Sequence, residues 1–284
     1  MKLMNPLFYL KRAWYMQRVN SALSRAAVTS ALRRIDPTTP STWEFSGFSQ
    51  NGEDGILDYL SRHLLKENRY FLEIGTGDGI ENNSAWFAIA RKYGGVMIEG
   101  NPEKSLWNDI IVSGINVGVE CHNLFISLDS VTNASELLLH KDPDIFSLDI
   151  DGNDYYIAKA LLDLEIRPKI LVVEYNSVYG PTKSITIRYN DRFNFVEAHE
   201  SQLYFGASIS GWKKLLKRFG YKFVTVDQNG VNAFFIDPNH FEERFVSRIN
   251  GLEYKDNFYQ MRQYKMLWQD RFKIIQDMDY IQIE

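Results

Sequence analysis

The segment Glu73-Ile-Gly-Thr-Gly-Asp-Gly79 sets three glycines at alternate positions directly after an acid, and Glu99 follows one strand–helix–strand step later. Gly75, Gly77 and Gly79 let the chain turn sharply and let a ligand approach with no Cβ in the way. Glu73, at the carboxyl end of a strand, can accept a hydrogen bond from a cationic amino group. Glu99, in Val96-Met-Ile-Glu-Gly-Asn-Pro102, can accept from both hydroxyls of a ribose. A dinucleotide would bring its pyrophosphate to this turn, and Asp78 would repel it. S-adenosylmethionine carries the amino group and the ribose without the phosphates, so a methyl-donor site is expected over an NAD site. Asp78 is then counted with the donor's contacts, as are Glu120 and Asn123, which follow the third strand where the adenine would lie.

A second set is acidic: Asp149-Ile-Asp-Gly-Asn-Asp154 and Glu174-Tyr-Asn176. Carboxyl ends of neighbouring parallel strands share one crevice, so the two sets should meet there. Asp149 is assigned to the donor side. Asp151, Glu174 and Asn176 offer hard oxygen ligands of the kind Mg²⁺ or Mn²⁺ takes, and such an ion would acidify a hydroxyl. The other reading, left open, pairs these acids with Lys183, Arg188 or Arg192, or uses them to cap a helix at 153. Asp154 is the favoured general base, with Asp151 beside it in catalysis and His199 as a further base. Tyr179, Arg188 and Tyr189, in a segment (177–207) too long for an ordinary connection, are expected to line the acceptor.

These residues require a particular scaffold. Short β-rich runs at 70–74, 95–98, 117–120, 145–150 and 170–173 alternate with helical patterns at 82–92, 103–112, 132–140 and 153–164. That is a doubly wound α/β arrangement. A helix at 208–219 leads to strand patterns 221–226 and 232–236 around Gln228-Asn-Gly230, a hairpin signal. The expected fold is therefore a mostly parallel seven-stranded sheet whose last strand is antiparallel. A basic helical arm (1–40) precedes this domain (41–240), and a helical extension (241–284) follows it. In the arm Phe8, Trp14, Val19, Leu23 and Leu32 form the apolar pattern, and Pro37 and Pro40 end the helix.

Taken jointly, Ser49-Gln50-x-Gly52-Glu53-Asp54, Phe71-Leu-Glu-Ile-Gly75, Ile98-Glu-Gly-Asn-Pro102 and Asp149-Ile-Asp-Gly152 resemble the FkbM-like methyltransferases over roughly 45–240. The resemblance implies a class I methyltransferase fold and O-methylation, often of sugars in bacterial glycans or natural products. It assigns Glu73, Gly75, Gly77 and Glu99 to S-adenosylmethionine, with Gln50 and Ser84 near it. Asp151-Gly-Asn-Asp154 with Glu174 is also similar to the metal site of macrolide-sugar O-methyltransferases. Here Asp154 stands where that site has histidine, and Tyr175 where it has a second acid, with Asn176 offered as the replacement ligand. Leu148 takes the place of a lysine common in FkbM-like sequences, which implies a different substrate set.

Composition bounds the rest. The 284 residues are 45% hydrophobic, enough for one enlarged domain, and the single cysteine, Cys121, cannot form an internal disulfide. The net charge of −4 argues against nucleic-acid binding. It hides an asymmetry: residues 1–35 hold seven basic side chains, Lys2, Lys11, Arg12, Arg18, Arg25, Arg33 and Arg34, and no acid. Three roles stand open for this arm: packing on the body or a second subunit of a homo-oligomer, touching anionic lipid at the inner face of a membrane, or covering the substrate. No apolar run is long enough to span a bilayer, and a cytoplasmic location is expected. Two further functions are carried beside methyl transfer: a non-catalytic S-adenosylmethionine-binding module of a glycan-synthesis complex, and an NAD-dependent oxidoreductase.

Overall fold

A computed structural model describes residues 6–284; Lys2 of the basic arm lies outside the described residues. The chain runs α1 (Pro6–Ala31), α2 (Glu53–Ser61), β1 (Tyr70–Ile74), β2 (Gly94–Glu99), α3 (Pro102–Asn108), β3 (Val119–Asn123), α4 (Val131–Glu136), β4 (Ile145–Leu148) and α5 (Asp154–Asp163). It continues through β5 (Ile170–Glu174), β6 (Ile185–Ile187), α6 (Phe195–Ala198), α7 (Ile209–Arg218), β7 (Lys222–Val226), β8 (Asn232–Ile236), α8 (Glu243–Val246), α9 (Phe258–Tyr264), α10 (Trp268–Ile275) and β9 (Tyr280–Gln282). Seven strands form one sheet in the order β3-β2-β1-β4-β5-β8-β7. The first five are parallel, and β8 enters antiparallel to β5 with Glu174 opposite Asn232. The doubly wound sheet with an antiparallel last strand is the one the sequence predicts.

The strands are continuous apolar runs because both faces are covered. On one face Leu72, Ile98, Phe146, Leu171 and Phe235 pack with Ile157, Leu161 and Trp212. On the other, Phe71, Met97, Ile145, Val172 and Phe234 pack with Leu57, Leu60, Phe87 and the arm residues Tyr15 and Val19. The hairpin closes where Asp227 accepts from the backbone N–H groups of Asn229, Val231 and Asn232, holding the turn that carries Gly230.

Four local expectations are corrected. The third strand is Val119–Asn123 rather than 117–120. The helix expected over 82–92 is confined to a short segment with π geometry at Trp86–Ala90, because Asn82 Oδ1 accepts from Ser84 N and Ala85 N and keeps the preceding chain in a turn. The fourth strand stops at Leu148 rather than at 150, since Asp151 turns the chain with φ of 56°. The arm helix buries Tyr15, Val19, Ala22 and Ala26, while Trp14 and Leu32 of the expected stripe are 53% and 76% exposed.

The last forty-odd residues are not purely helical. Their final strand, β9, pairs antiparallel with β6 of the 177–207 segment, joining Ile185 to Gln282 and Ile187 to Tyr280. Arg188 is ion-paired with Asp279, and the Tyr204 hydroxyl donates to the Asp279 carbonyl. The extension thus braces the segment. No helix among the described residues is long and apolar enough to cross a membrane. The arm's cations turn largely onto the body: Arg18 meets Asp78 and Glu81, Arg25 donates to the Gly47 carbonyl, and Arg33 donates to the Trp43 carbonyl.

Candidate active site

Chain crossovers leave β1 toward β2 on one side and β4 toward β5 on the other, and a crevice opens at the carboxyl ends between them. It holds a cavity of about 490 Å³ lined by Gly75, Gly77, Glu99, Asn101, Phe125 and Asp151, among others. Gly75 has φ of 88°, and a Cβ there would lie 1.6 Å from the Asp149 carbonyl, so the turn after β1 and the end of β4 touch backbone to backbone. Gly77 has φ of 56° and no protein atom near its missing Cβ; its open side is the cavity.

Glu99 is fixed by the backbone around it. Its Oε2 accepts from Gly77 N at 2.7 Å and its Oε1 from Asn101 N at 2.8 Å. Asn101 in turn caps α3, accepting from Glu103 N at 3.0 Å and Lys104 N at 3.1 Å, with Pro102 as the first helical residue. Each oxygen of Glu99 keeps lone pairs for a ligand's hydroxyls. Leu124, Phe125 and Ile126, just past β3, form an apolar wall opposite. Of the third-strand residues expected here, Asn123 buttresses from behind, donating to the Glu99 carbonyl at 2.9 Å, and Glu120 is exposed beside His122. Asp78 is held by Arg18 and lies outside the lining.

Glu73 is 3% exposed and already accepts from Asn83 N at 3.0 Å, Ser84 N at 2.9 Å and the Ser84 hydroxyl. Burial pushes its pKa up, and these bonds oppose the rise. Ser84 is thus spent on Glu73. Across Gly75 and Asp149 the crevice continues into a polar chamber of about 120 Å³ lined by Gln50, Asn51, Glu53, Glu73, Asn83 and Asn232, among others. Gln50 is exposed at its outer edge.

The acidic residues converge as predicted, but with a changed membership. Carboxylate oxygens of Asp149, Asp151 and Glu174 lie within 4.8 Å of one another. Asn176 is not among them: its Nδ2 donates to the Leu203 and Phe205 carbonyls and its Oδ1 accepts from Val178 N, so its amide ties down the following segment. Burial and mutual repulsion raise the pKa of Asp149 and Glu174 well above the carboxylate range. Asp151 is also raised, by burial first; Lys104, on the cavity wall, lowers it and Glu99 raises it. None of the ion pairs among the described residues joins these acids to Lys183, Arg188 or Arg192.

Asp154 does not face the cavity. It is 1% exposed, and its two oxygens accept from Ile150 N and Gly152 N at 2.8 Å each, closing the turn that presents Asp151. Burial places its pKa at about 6 against those bonds. This is not the helix cap of the alternative reading: both donors precede the helix, and the residue at its cap, Asn153, makes no side-chain capping bond. His199 is also outside the lining, with Nδ1 held by Ser201. Asp151 is therefore the carboxylate in reach of a cavity ligand.

In the 177–207 segment, Tyr179 is fully buried and donates to the Phe205 carbonyl at 2.8 Å, and Arg188 is committed to Asp279. Neither lines the main cavity. Tyr189, with its hydroxyl accepting from Leu128 N, flanks an outer cleft of about 450 Å³ with Asn190 and Tyr204; Phe193 is the wall shared with the main cavity. Sequence reasoning missed Asn101, Lys104, Phe125, Phe193 and Asn232. Only Asn101-Pro102 carried a local signal, that of a helix cap.

No family model matches the chain, and no curated protein matches it in sequence. Among solved structures, an O-methyltransferase from Bacillus cereus in complex with S-adenosylhomocysteine is 15% identical with a TM-score of 0.42, over 78% of this chain and 89% of that one. TomG, an O-methyltransferase from Streptomyces achromogenes involved in tomaymycin synthesis, in complex with S-adenosylmethionine, is 18% identical with a TM-score of 0.44, over 77% and 96%. An S-adenosylmethionine-dependent methyltransferase from Clostridium acetobutylicum is 11% identical with a TM-score of 0.39, over 65% and 89%. At 11–18% identity and TM-scores below 0.5 these likenesses assign the chain neither a family nor a role. The strand order and the antiparallel β8 are those of the mostly parallel seven-stranded sheet expected from the sequence.

Proposed function

We propose that this protein transfers a methyl group from S-adenosylmethionine to a hydroxyl of a sugar or sugar-linked acceptor. The observation that carries this reading is one crevice in which Glu99, braced by Gly77 and Asn101, stands at one end and Asp149 and Asp151 at the other, with the Glu174 carboxylate clustered against those two. Glu99 would take the ribose hydroxyls, and the Leu124–Ile126 wall would pack on the adenine. The sulfonium would then lie over Gly75, where the turn after β1 touches the backbone just past β4. The motifs shared with FkbM-like methyltransferases support a sugar acceptor, as do the aromatic faces of Phe193, Tyr189 and Tyr204 on the acceptor side.

In the reaction, the acceptor oxygen attacks the methyl carbon in line with the carbon–sulfur bond. The new C–O bond forms as C–S breaks, S-adenosylhomocysteine leaves neutral at sulfur, and the hydroxyl proton passes to a carboxylate oxygen of Asp151. Alignment at near contact supplies most of the acceleration. Asp154 holds the Asp151 turn, and desolvation by the crevice around the Asp151 carboxylate raises its pKa and makes it a better proton acceptor than a free carboxylate. The donor set Asp149, Asp151 and Glu174 fits a hard divalent cation: three clustered carboxylates, with no ion pair to a side chain among the described residues and only Lys104 acting on Asp151 through space, would be relieved by one. Mg²⁺ or Mn²⁺ held there would supply Lewis acidity toward the acceptor oxygen.

The test is transfer of labelled methyl from S-adenosylmethionine to a panel of mono- and oligosaccharides, by wild type and Asp151→Asn. Transfer to a sugar hydroxyl that Asp151→Asn lowers by at least about a hundredfold, with S-adenosylhomocysteine affinity kept, is expected. Donor binding without transfer to any acceptor would instead mark a binding module.

A further inference from the structure

The amino end of the methyl donor needs a receptor, and the crevice contains one that neither the glycine turn nor the acidic cluster supplies. Asn232, on β8, is 4% exposed and lines the polar chamber beyond Gly75. Its Nδ2 donates to Glu53 Oε1 at 2.8 Å. A carboxylate can only accept, so this bond settles which end of the amide is which. The Oδ1 is left buried with no hydrogen-bond partner. An orphaned buried acceptor costs on the order of a hydrogen bond or more, and native interiors seldom keep one unless a ligand completes it.

The charge of the chamber states what kind of donor completes it. Glu53, Glu73, Glu81 and Asp149 contribute to its lining, and no Lys, Arg or His does. An anion would be repelled by this acidic lining and a neutral hydroxyl would gain little, whereas an ammonium would be drawn to it. Glu73 is already engaged three times by Asn83 and Ser84, and Glu53 accepts from Asn51 N, Asn51 Nδ2 and Asn232. Among the described residues of this lining, Asn232 Oδ1 is the buried side-chain oxygen that no protein donor meets. The chamber shares Ser49, Gln50 and Glu81 with an outer cleft that contains Arg25, so an anionic group beside the ammonium would have a cation on the solvent side.

Resting on the methyl-donor reading above, we propose that Asn232, oriented by Glu53, binds the α-ammonium group of S-adenosylmethionine. The donor's amino-acid tail lies in the chamber with its carboxylate toward Arg25. Asn232 thereby reads the presence of the tail.

The experiment compares S-adenosylhomocysteine with 5′-methylthioadenosine, which keeps the adenosine and thioether and lacks the amino-acid tail, by calorimetry on the full chain. Wild type should prefer S-adenosylhomocysteine. In Asn232→Ala that preference should fall by at least about tenfold, with 5′-methylthioadenosine affinity unchanged, which also shows that the adenosine site is intact. Asn232→Asp, which keeps an acceptor at the position, should retain the preference and serves if the alanine variant does not fold. Equal losses for both ligands, or a preference untouched by Asn232→Ala, would overturn the assignment. Failure of both ligands to bind wild type would instead remove the methyl-donor reading on which it rests.

Discussion

Arg18 of the N-terminal helix is ion-paired with Asp78, the residue between Gly77 and Gly79 of the turn that follows the first strand. The same guanidinium reaches Glu81 at 3.4 Å and lies over the ring of Trp14. The arm therefore holds the outer edge of the glycine turn proposed to bind the donor, and Asp78 takes part through that clamp. Both side chains keep about a fifth to a quarter of their exposure, so the pair is worth little as stability but constrains the loop. Arg18→Ala should weaken S-adenosylhomocysteine binding by about threefold and leave the thermal midpoint nearly unchanged. An unchanged affinity in calorimetry would show that the arm packs on the body without acting on the turn.

Two glycines two residues apart should fail differently. Gly75→Ala would drive a Cβ into the Asp149 carbonyl, which is held just past the end of β4 by the bond from Asp149 N to the Ile74 carbonyl. That variant should lose stability and ligand together. Gly77→Ala meets no protein atom and bears only the strain of a left-handed backbone, about 1–2 kcal/mol. It should stay folded and lose S-adenosylhomocysteine, because its methyl group points into the ligand's space. Thermal melts with and without the ligand separate the two outcomes.

The clustered carboxylates of Asp149, Asp151 and Glu174 make a metal prediction. Dialysis against a chelator should lower turnover and leave S-adenosylhomocysteine affinity within about threefold, since Glu99 and the apolar wall lie outside the cluster. Turnover should return with Mg²⁺ or Mn²⁺. Full activity after rigorous chelation would remove the ion from the account and leave proton transfer to Asp151 alone.

Stability should fall as pH rises through neutrality. Burial lifts Glu44 to about 7 and Asp54 to about 7, while backbone and side-chain donors from Gln228, Gly47, Phe48 and Ser49 oppose the rise. A carboxyl whose folded pKa exceeds its unfolded value adds stability that is fully present below the unfolded pKa and lost as pH passes the folded one. The thermal midpoint should therefore decline from about pH 5 to about pH 8, and Glu44→Gln should flatten the decline. A midpoint that rises over that interval would contradict the protonated, buried state of these acids.

The sheet was legible because buried parallel strands are written as uninterrupted apolar runs, and because Asn229-Gly230 marks the hairpin. The cavity-lining residues Gly75, Gly77 and Glu99 were legible for a related reason: they sit at or just past strand ends, where sequence position fixes spatial position. Side chains whose role depends on which way they turn were not. Asp154 and Asp151 are equivalent acids in the sequence, yet one closes a turn and the other opens to the cavity. Asn176 reads as a ligand and is spent on a loop. Asn232, from a strand far along the chain, reaches the site only through antiparallel pairing with β5, a long-range contact with no local signature. The β6–β9 pairing that braces the acceptor side is of the same kind.

Glu99 and the glycine turn are proposed to hold the adenosine of a methyl donor rather than a dinucleotide, and calorimetric titration of wild type and Glu99→Gln with S-adenosylhomocysteine and with NAD tests this. S-adenosylhomocysteine should bind and NAD should not, and Glu99→Gln should weaken the former by at least about tenfold. Preferential binding of NAD, or S-adenosylhomocysteine affinity indifferent to Glu99→Gln, would contradict it.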